Sequence, residues 1–356
     1  MASNTPWSPN ELISIAHAGS REPALAVAAE TPHLLWSRDR EIWHRYRGAS
    51  GWSEPVRVAA GEQPALAAAP DGQLHAVFVN QFAGNAEIYY VWWNGVAWSL
   101  PQNVSHSTGA SSQPAIAVGP GGTPRAVWAD NSAGHSAIYT GRLEEGRWLT
   151  GPLASARGSA PALAITPQNV AYILWQDRLE SSQRFEVFCT FSREDGWSMP
   201  ENISSSAERH SLQPCVATNI QGGCHLLWQE ELAGVFGIQH ADRRPNGWGA
   251  PADVSATDAD CRAPRIAANR QGFLQALWQQ GPILYHRVRP PDYDAEWWAP
   301  EVATDSCGGL SEVAFAVARS GKTHVVWCGA DQASTYRLYY LQRQPVFKYT
   351  TFAPVG

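Results

Sequence analysis

The chain has 356 residues, with 30 Gly, 25 Pro and 17 Trp, only 16% charged side chains and a formal charge of −6. No cluster of Lys and Arg interrupts that acidic balance, which excludes the concentrated basic face needed for nucleic acid or an anionic membrane surface. No apolar run nears the roughly 18 residues of a membrane span, and the composition is unlike that of helical proteins, which carry Glu, Lys and Leu at 3.6-residue spacing.

The opening MASNTPWSPN has neither a basic n-region nor an apolar core, so the sequence as it stands carries no signal peptide. The cytoplasm is the default expectation, and secretion the alternative if a signal has been removed. None of the six cysteines, at 189, 215, 224, 261, 307 and 328, falls in a CxxC or metal-ligand spacing. They read as thiols in a reducing compartment, several of them buried. A disulfide among Cys261, Cys307 and Cys328 is the alternative. No cofactor and no metal site is expected.

In chain order, the first element is a short segment around Trp7-Ser8-Pro9. A unit then recurs seven times. Each unit opens on a small-residue strand, A: PALAV at Pro23, PALAA at Pro64, PAIAV at Pro114, PALAI at Pro161, PCVAT at Pro214, PRIAA at Pro264 and VAFAV at Val313. A turn, often with Gly, leads to strand B, which carries an aromatic near its end: Trp36, Phe78, Trp128, Trp175, Trp228, Trp278 and Trp327. Strand C follows as IWH, IYY, IYT, VFC, IQH, LYH and LYY, and strand D opens on a Trp. The units recur every 41 to 53 residues. Four short strands at that period predict a β-propeller with four-stranded antiparallel blades.

Strand D supplies the topology. Trp52, Trp98, Trp148, Trp197, Trp248 and Trp298 close the first six units, whereas the seventh ends in LYYLQRQPVFKYTT without one. The missing copy is Trp7, so the N-terminal segment is predicted to complete the last blade and remove the two free sheet edges. The expected fold is all-β, one seven-bladed domain over 1–356. Its blades lie at about 21–60, 61–108, 109–155, 156–208, 209–258, 259–306, and 307–344 together with 1–15.

The phrases PALAVxPDGxxHxVWxD, IYY and GWSxPxNVS resemble bacterial propeller repeats related to sialidases and their Asp-box (BNR-like) relatives, across the whole chain. The Asp box would read SxDxGxTW before strand D. Here SREDGW at 192–197, ASGW at 49–52 and NGVAW at 94–98 keep a Gly and the Trp but not that spacing. A sialidase resemblance implies three arginines gripping a carboxylate, a Tyr–Glu nucleophile pair and an acidic Asp, in six blades rather than seven. Arg21-Glu22-Pro23 and Arg262-Ala263-Pro264 resemble the family's Arg-x-Pro, but no Tyr–Glu pair is found. Sugar-binding propeller lectins share the architecture.

In a propeller the D-to-A and B-to-C loops share one face. That face gathers Arg21, Glu22, Glu62, Gln63, Gln113, Gln213, Arg262 and Glu312 before strand A, with Asp130, Asp177, Glu230 and Gln280 after the strand B aromatic. This polar collar suits sugar hydroxyls or a cationic group; the same acids could instead cap loop backbone donors within each blade. Trp43, Trp92 and Trp93, beyond the structural set, offer an aromatic platform for a sugar or pack between outer strands. His33, His75, His225 and His324 recur one per blade, and a ring holds them too far apart to share a metal. No catalytic residues are assigned. The leading expectation is a non-catalytic recognition propeller for a glycan or other polar ligand. A protein-interaction scaffold and a sialidase-like hydrolase or lyase are the alternatives.

Overall fold

A computed structural model describes residues 6–14 and 19–345, apart from 83, 182, 207, 245, 257, 293, 306–311 and 331–334. Its described residues form strands and turns without helix, arranged as seven separate antiparallel sheets. The protein is a seven-bladed β-propeller. Its inner strands are Arg21–Ala28, Glu62–Ala68, Ser111–Val118, Ser159–Ile165, Ser211–Thr218, Cys261–Ala268 and Glu312–Val317. Each touches the inner strand of the blades on both sides, and the last touches the first. Their alanines allow this convergence, because a larger side chain would collide where seven strands meet at one axis.

The ring closes through the N-terminal segment. Glu11 and Leu12 pair antiparallel with Tyr340 and Tyr339, and Trp7 bridges Arg343. Trp7 is 5% exposed and packs in the core between blades six and seven. Its indole N–H donates to Glu301 at 3.1 Å, and Glu301 also accepts from Arg343 Nη2 at 3.0 Å and meets His286 Nδ1 at 2.8 Å. Burial alone would raise the Glu301 pKa. The His286 and Arg343 partners more than reverse this and hold it at about 2.

Two aromatic rules build the blades. Within most blades, the strand B aromatic stacks on the middle residue of the strand C triplet, as in Phe78–Tyr89, Trp128–Tyr139, Trp175–Phe188, Trp278–Tyr285 and Trp327–Tyr339. Between blades, the strand D Trp meets the third triplet residue of the preceding blade edge-on. The pairs are His44–Trp98, Tyr90–Trp148, His240–Trp297, His286–Trp7 and Tyr340–Trp52, with centroids 5.1 to 5.5 Å apart and planes at 72° to 90°. Edge-to-face pairs of this kind add about 0.5–1.5 kcal/mol beyond buried area. Trp297 takes the inward place that the sequence pattern gave to Trp298, which is 41% exposed. The backbone at Trp298 donates to Val288, and this register turns its neighbour inward.

Cys189, Cys224 and Cys261 are buried free thiols, and burial raises their pKa values. The disulfide alternative depends on Cys307, which lies outside the described residues.

Candidate functional site

The loop face is organised by a kink at the start of the inner strand. In six blades the register slips there by a bulge, and one residue adopts a left-handed backbone: Glu22, Gln63, Gln113, Ala160, Gln213 and Ala263, with φ between +50° and +54°. A non-glycine residue there is strained. Each kinked N–H is held by a side chain of the preceding blade. Glu312 accepts from Glu22, and Glu22 Oε2 from Gln63 at 2.6 Å. Gln63 accepts from Gln113 and Gln113 from Ala160, both at 2.8 Å. Where the kink residue cannot serve the next blade, strand B supplies the acceptor: Gln176 for Gln213 and Gln229 for Ala263, each at 2.8 Å.

In the seventh blade the described inner strand, Glu312–Val317, has neither kink nor Pro. There Arg265 Nε reaches Val313 O at 2.9 Å instead. Gln229 is 2% exposed, so removing its amide strands a partly buried N–H. Gln229→Met is expected to cost about 1–2 kcal/mol in urea unfolding. Gln279→Met, whose amide reaches only the exposed Gly281 carbonyl, should change stability by less than about 0.5 kcal/mol.

The remaining polar residues of this face divide into tied and open groups. Asp130 is buried and accepts from Ser111 Oγ at 2.6 Å and Ser132 N at 2.8 Å; burial would raise its pKa, but these donors lower it. Glu230 accepts from Trp228 Nε1 at 3.0 Å and Arg209 Nη1 at 3.1 Å. Arg262 pairs with Asp260 at 2.7 Å and lies 5.2 Å over Phe236. Arg21 lies 3.7 Å over Tyr336, and Glu62 is 3.9 Å from Arg40. Gln280 Oε1 faces the Cys261 thiol at 3.8 Å.

Asp177 is held only locally: among the described residues its carboxylate accepts just the N–H of the next residue, Arg178, at 2.7 Å. It lines a cavity of 440 Å³ between blades three and four, with His135, Arg157, Arg178 and Phe185. Its pKa is raised by burial, although the Arg178 N–H, Arg157 and His135 work the other way.

Of the three extra tryptophans, Trp43 lies opposite Trp36 in its own blade with Arg38 4.5 Å over its ring. Trp93 packs against His44 and Trp98. Trp92 presents an open face at 38% exposure. The recurring histidines are buried and bonded within their own blades. His75 meets the Tyr90 hydroxyl at 2.7 Å, His324 the Tyr340 hydroxyl at 2.8 Å, His33 meets His44 at 3.1 Å, and His225 meets Asn219 at 3.2 Å. No group of three or more His, Cys, Asp or Glu side chains among the described residues is placed to hold a metal.

Sequence reasoning missed the opposite face. There the A-to-B turns of all seven blades ring a 490 Å³ mouth of the channel, with Pro70, Pro120, Pro167 and Ile220 on one side and Glu30, Arg270 and Arg319 on the other. Proline punctuation in those turns was the available signal.

The chain matches no protein-family model and no curated protein. Solved structures share its fold. A PL25 ulvan lyase superposes with a TM-score of 0.63 at 8% identity over 94% of this chain and 97% of that one. A fungal copper alcohol oxidase gives 0.63 at 9% identity over 98% and 79%. An α-L-arabinanase from Penicillium chrysogenum, complexed with arabinobiose, gives 0.54 at 13% identity over 79% and 92%. Identities this low establish the propeller class and leave activity to the site.

Proposed function

We propose that the protein is a glycan-recognition propeller whose loop face holds a sugar in the cavity between blades three and four. The observation that carries this is Asp177: its carboxylate lies half-desolvated in a cavity lined by two arginines and by Phe185. Carboxylate and guanidinium groups match the paired donors and acceptors of vicinal hydroxyls, and a phenyl face suits the apolar side of a pyranose. Most other acids of the face are bonded to other strands or blades, whereas Asp177 is bonded only to the adjacent Arg178 N–H, which concentrates recognition here. The ulvan lyase, bound to a GlcA-containing saccharide, and the arabinanase, bound to arabinobiose, support a carbohydrate over a peptide ligand.

Titration of a glycan panel by isothermal calorimetry tests this. A member should bind, and Asp177→Asn should weaken it by about tenfold or more. A blank panel, or equal binding by the variant, would reject the reading. Cleavage is the second reading, favoured by the raised acid of Asp177 beside His135, and new reducing ends in the same mixtures would reveal it. A sialidase-like triad of arginines is not assembled by Arg21 and Arg262, which are engaged with Tyr336 and Asp260 respectively.

A further inference from the structure

The edge-to-face lock between blades is missing at two interfaces, with different results. At the third position of the strand C triplet, blade three has Thr140 and blade four Cys189, where other blades have His or Tyr. Between blades four and five the gap is filled, because Tyr172 packs on Phe191 at 5.7 Å and Arg243 lies 4.8 Å over the same phenyl. Between blades three and four no aromatic pair among the described residues takes its place, and Trp197 packs only on the aliphatic and Trp175 core beneath. A groove of 1170 Å³ opens there on the side away from the ligand loops, and Thr140, Gly141, Trp148 and Trp197 are among the residues that line it.

The same blade carries a second departure. The place of the buried histidines is taken by Arg125, half-buried in the groove and directly across the sheet from Arg142. Arg142 is paired with Glu144. Arg125 has no hydrogen bond or ion pair among the described residues. Glu144 acts on Arg125 electrostatically but is itself paired with Arg142, so a half-buried guanidinium beside a like charge is left to gain from an arriving anion that can bond to it directly. Burial and then the neighbouring Arg142 lower its pKa, and Glu144 offsets this only in part.

We propose that the groove between blades three and four is a second binding site, for an acidic saccharide whose carboxylate or sulfate meets Arg125 while a sugar face lies against an indole wall. Planar guanidinium and carboxylate match in a two-pronged hydrogen bond. Aromatic walls favour a sugar ring over a free inorganic anion, which would leave them unused. The groove exceeds the roughly 300 Å³ lower bound of ordinary ligand cavities several-fold, so it has room for more than one sugar. The site is independent of the Asp177 cavity at the other end of the interface.

The test restores what the other blades have. Arg125→His with Thr140→Tyr recreates the His75–Tyr90 arrangement and fills the groove. By calorimetry, digalacturonate should bind the native chain and neutral galactobiose should not. The double variant should lose about tenfold or more in affinity, as should Arg125→Gln alone, with near-ultraviolet circular dichroism reporting that each is folded. Asp177→Asn should bind digalacturonate like the native chain, which separates this site from the loop face. Absent binding, binding unchanged in both Arg125 variants, or loss only on Asp177→Asn would overturn the proposal. An Asp-rich peptide that binds where digalacturonate does not would assign the groove to a protein partner instead.

Discussion

Removing residues 1–14 is expected to open the ring and produce the largest loss of stability of any change described here. Those residues supply the outer strand of blade seven, the buried indole of Trp7 and the buried Ile13. Trp7→Ala alone should cost about 3–5 kcal/mol, from lost burial and the cavity left behind. The truncation adds the exposed edge of Tyr336–Arg343 and leaves Arg343 and Glu301 without their covering residue. Urea unfolding followed by tryptophan fluorescence measures both. Ser8→Ala, which removes the hydroxyl's exposed bond to Pro9 O and its contact with Gln342 N at 3.0 Å, should stay within about 1 kcal/mol. A truncated chain with the native midpoint would show that the seventh blade does not depend on its N-terminal strand.

Acid is expected to unfold the protein well before its carboxylates are titrated. Burial lowers the pKa of His33 and His225 to about 4 and of His324 to about 3. For His44, burial and then neighbouring His33 lower it to about 3. In the unfolded chain these rings take up a proton near pH 6.5. From there down to about pH 4, and to about 3 for His44 and His324, the unfolded state binds more protons than the folded state, so stability falls as pH falls. Each ring contributes up to about 1.4 kcal/mol per pH unit. From pH 4.5 downward Glu301 adds to the trend, because its depressed pKa gives stability that is present above the unfolded value and lost on the way down to about 2. A series of urea titrations from pH 8 to 4 should be level above neutrality and steep below it. His324→Gln should reduce the slope by about one proton's worth. A midpoint unchanged between pH 7 and 4.5 would contradict neutral, buried histidines.

The ring was legible in the sequence because its signals are local and repeated. Seven small-residue strands, seven strand B aromatics and one displaced Trp need no three-dimensional information to count. The kinked collar was not legible. The recurring Glu22-Pro23, Gln63-Pro64, Gln113-Pro114 and Gln213-Pro214 pairs place polar residues correctly, but a left-handed φ and an acceptor in the next blade are tertiary facts. The collar residues therefore read as a ligand surface when much of their hydrogen bonding is spent on neighbouring backbone. Trp297 and Trp298 were exchanged because both precede the strand Glu301–Thr304, in a segment without strand alternation, where the Trp298 N–H bond to Val288 O decides which ring is inside. The groove beneath blades three and four was visible only as absence: IYT where a third aromatic or His would stand, and Arg125 where His recurs.

The collar also determines which positions can change without disturbing the ring. What each acceptor grips is a main-chain amide, whatever side chain is attached to that unit. In blades four, five and six the gripping group belongs to strand B or is absent, so the side chains at Ala160, Gln213 and Ala263 serve no neighbour. They are three vacant letters at the rim of the pore, where short unbranched groups tolerant of the left-handed backbone can be written in and the chemistry of the opening re-specified while the scaffold stays as it is.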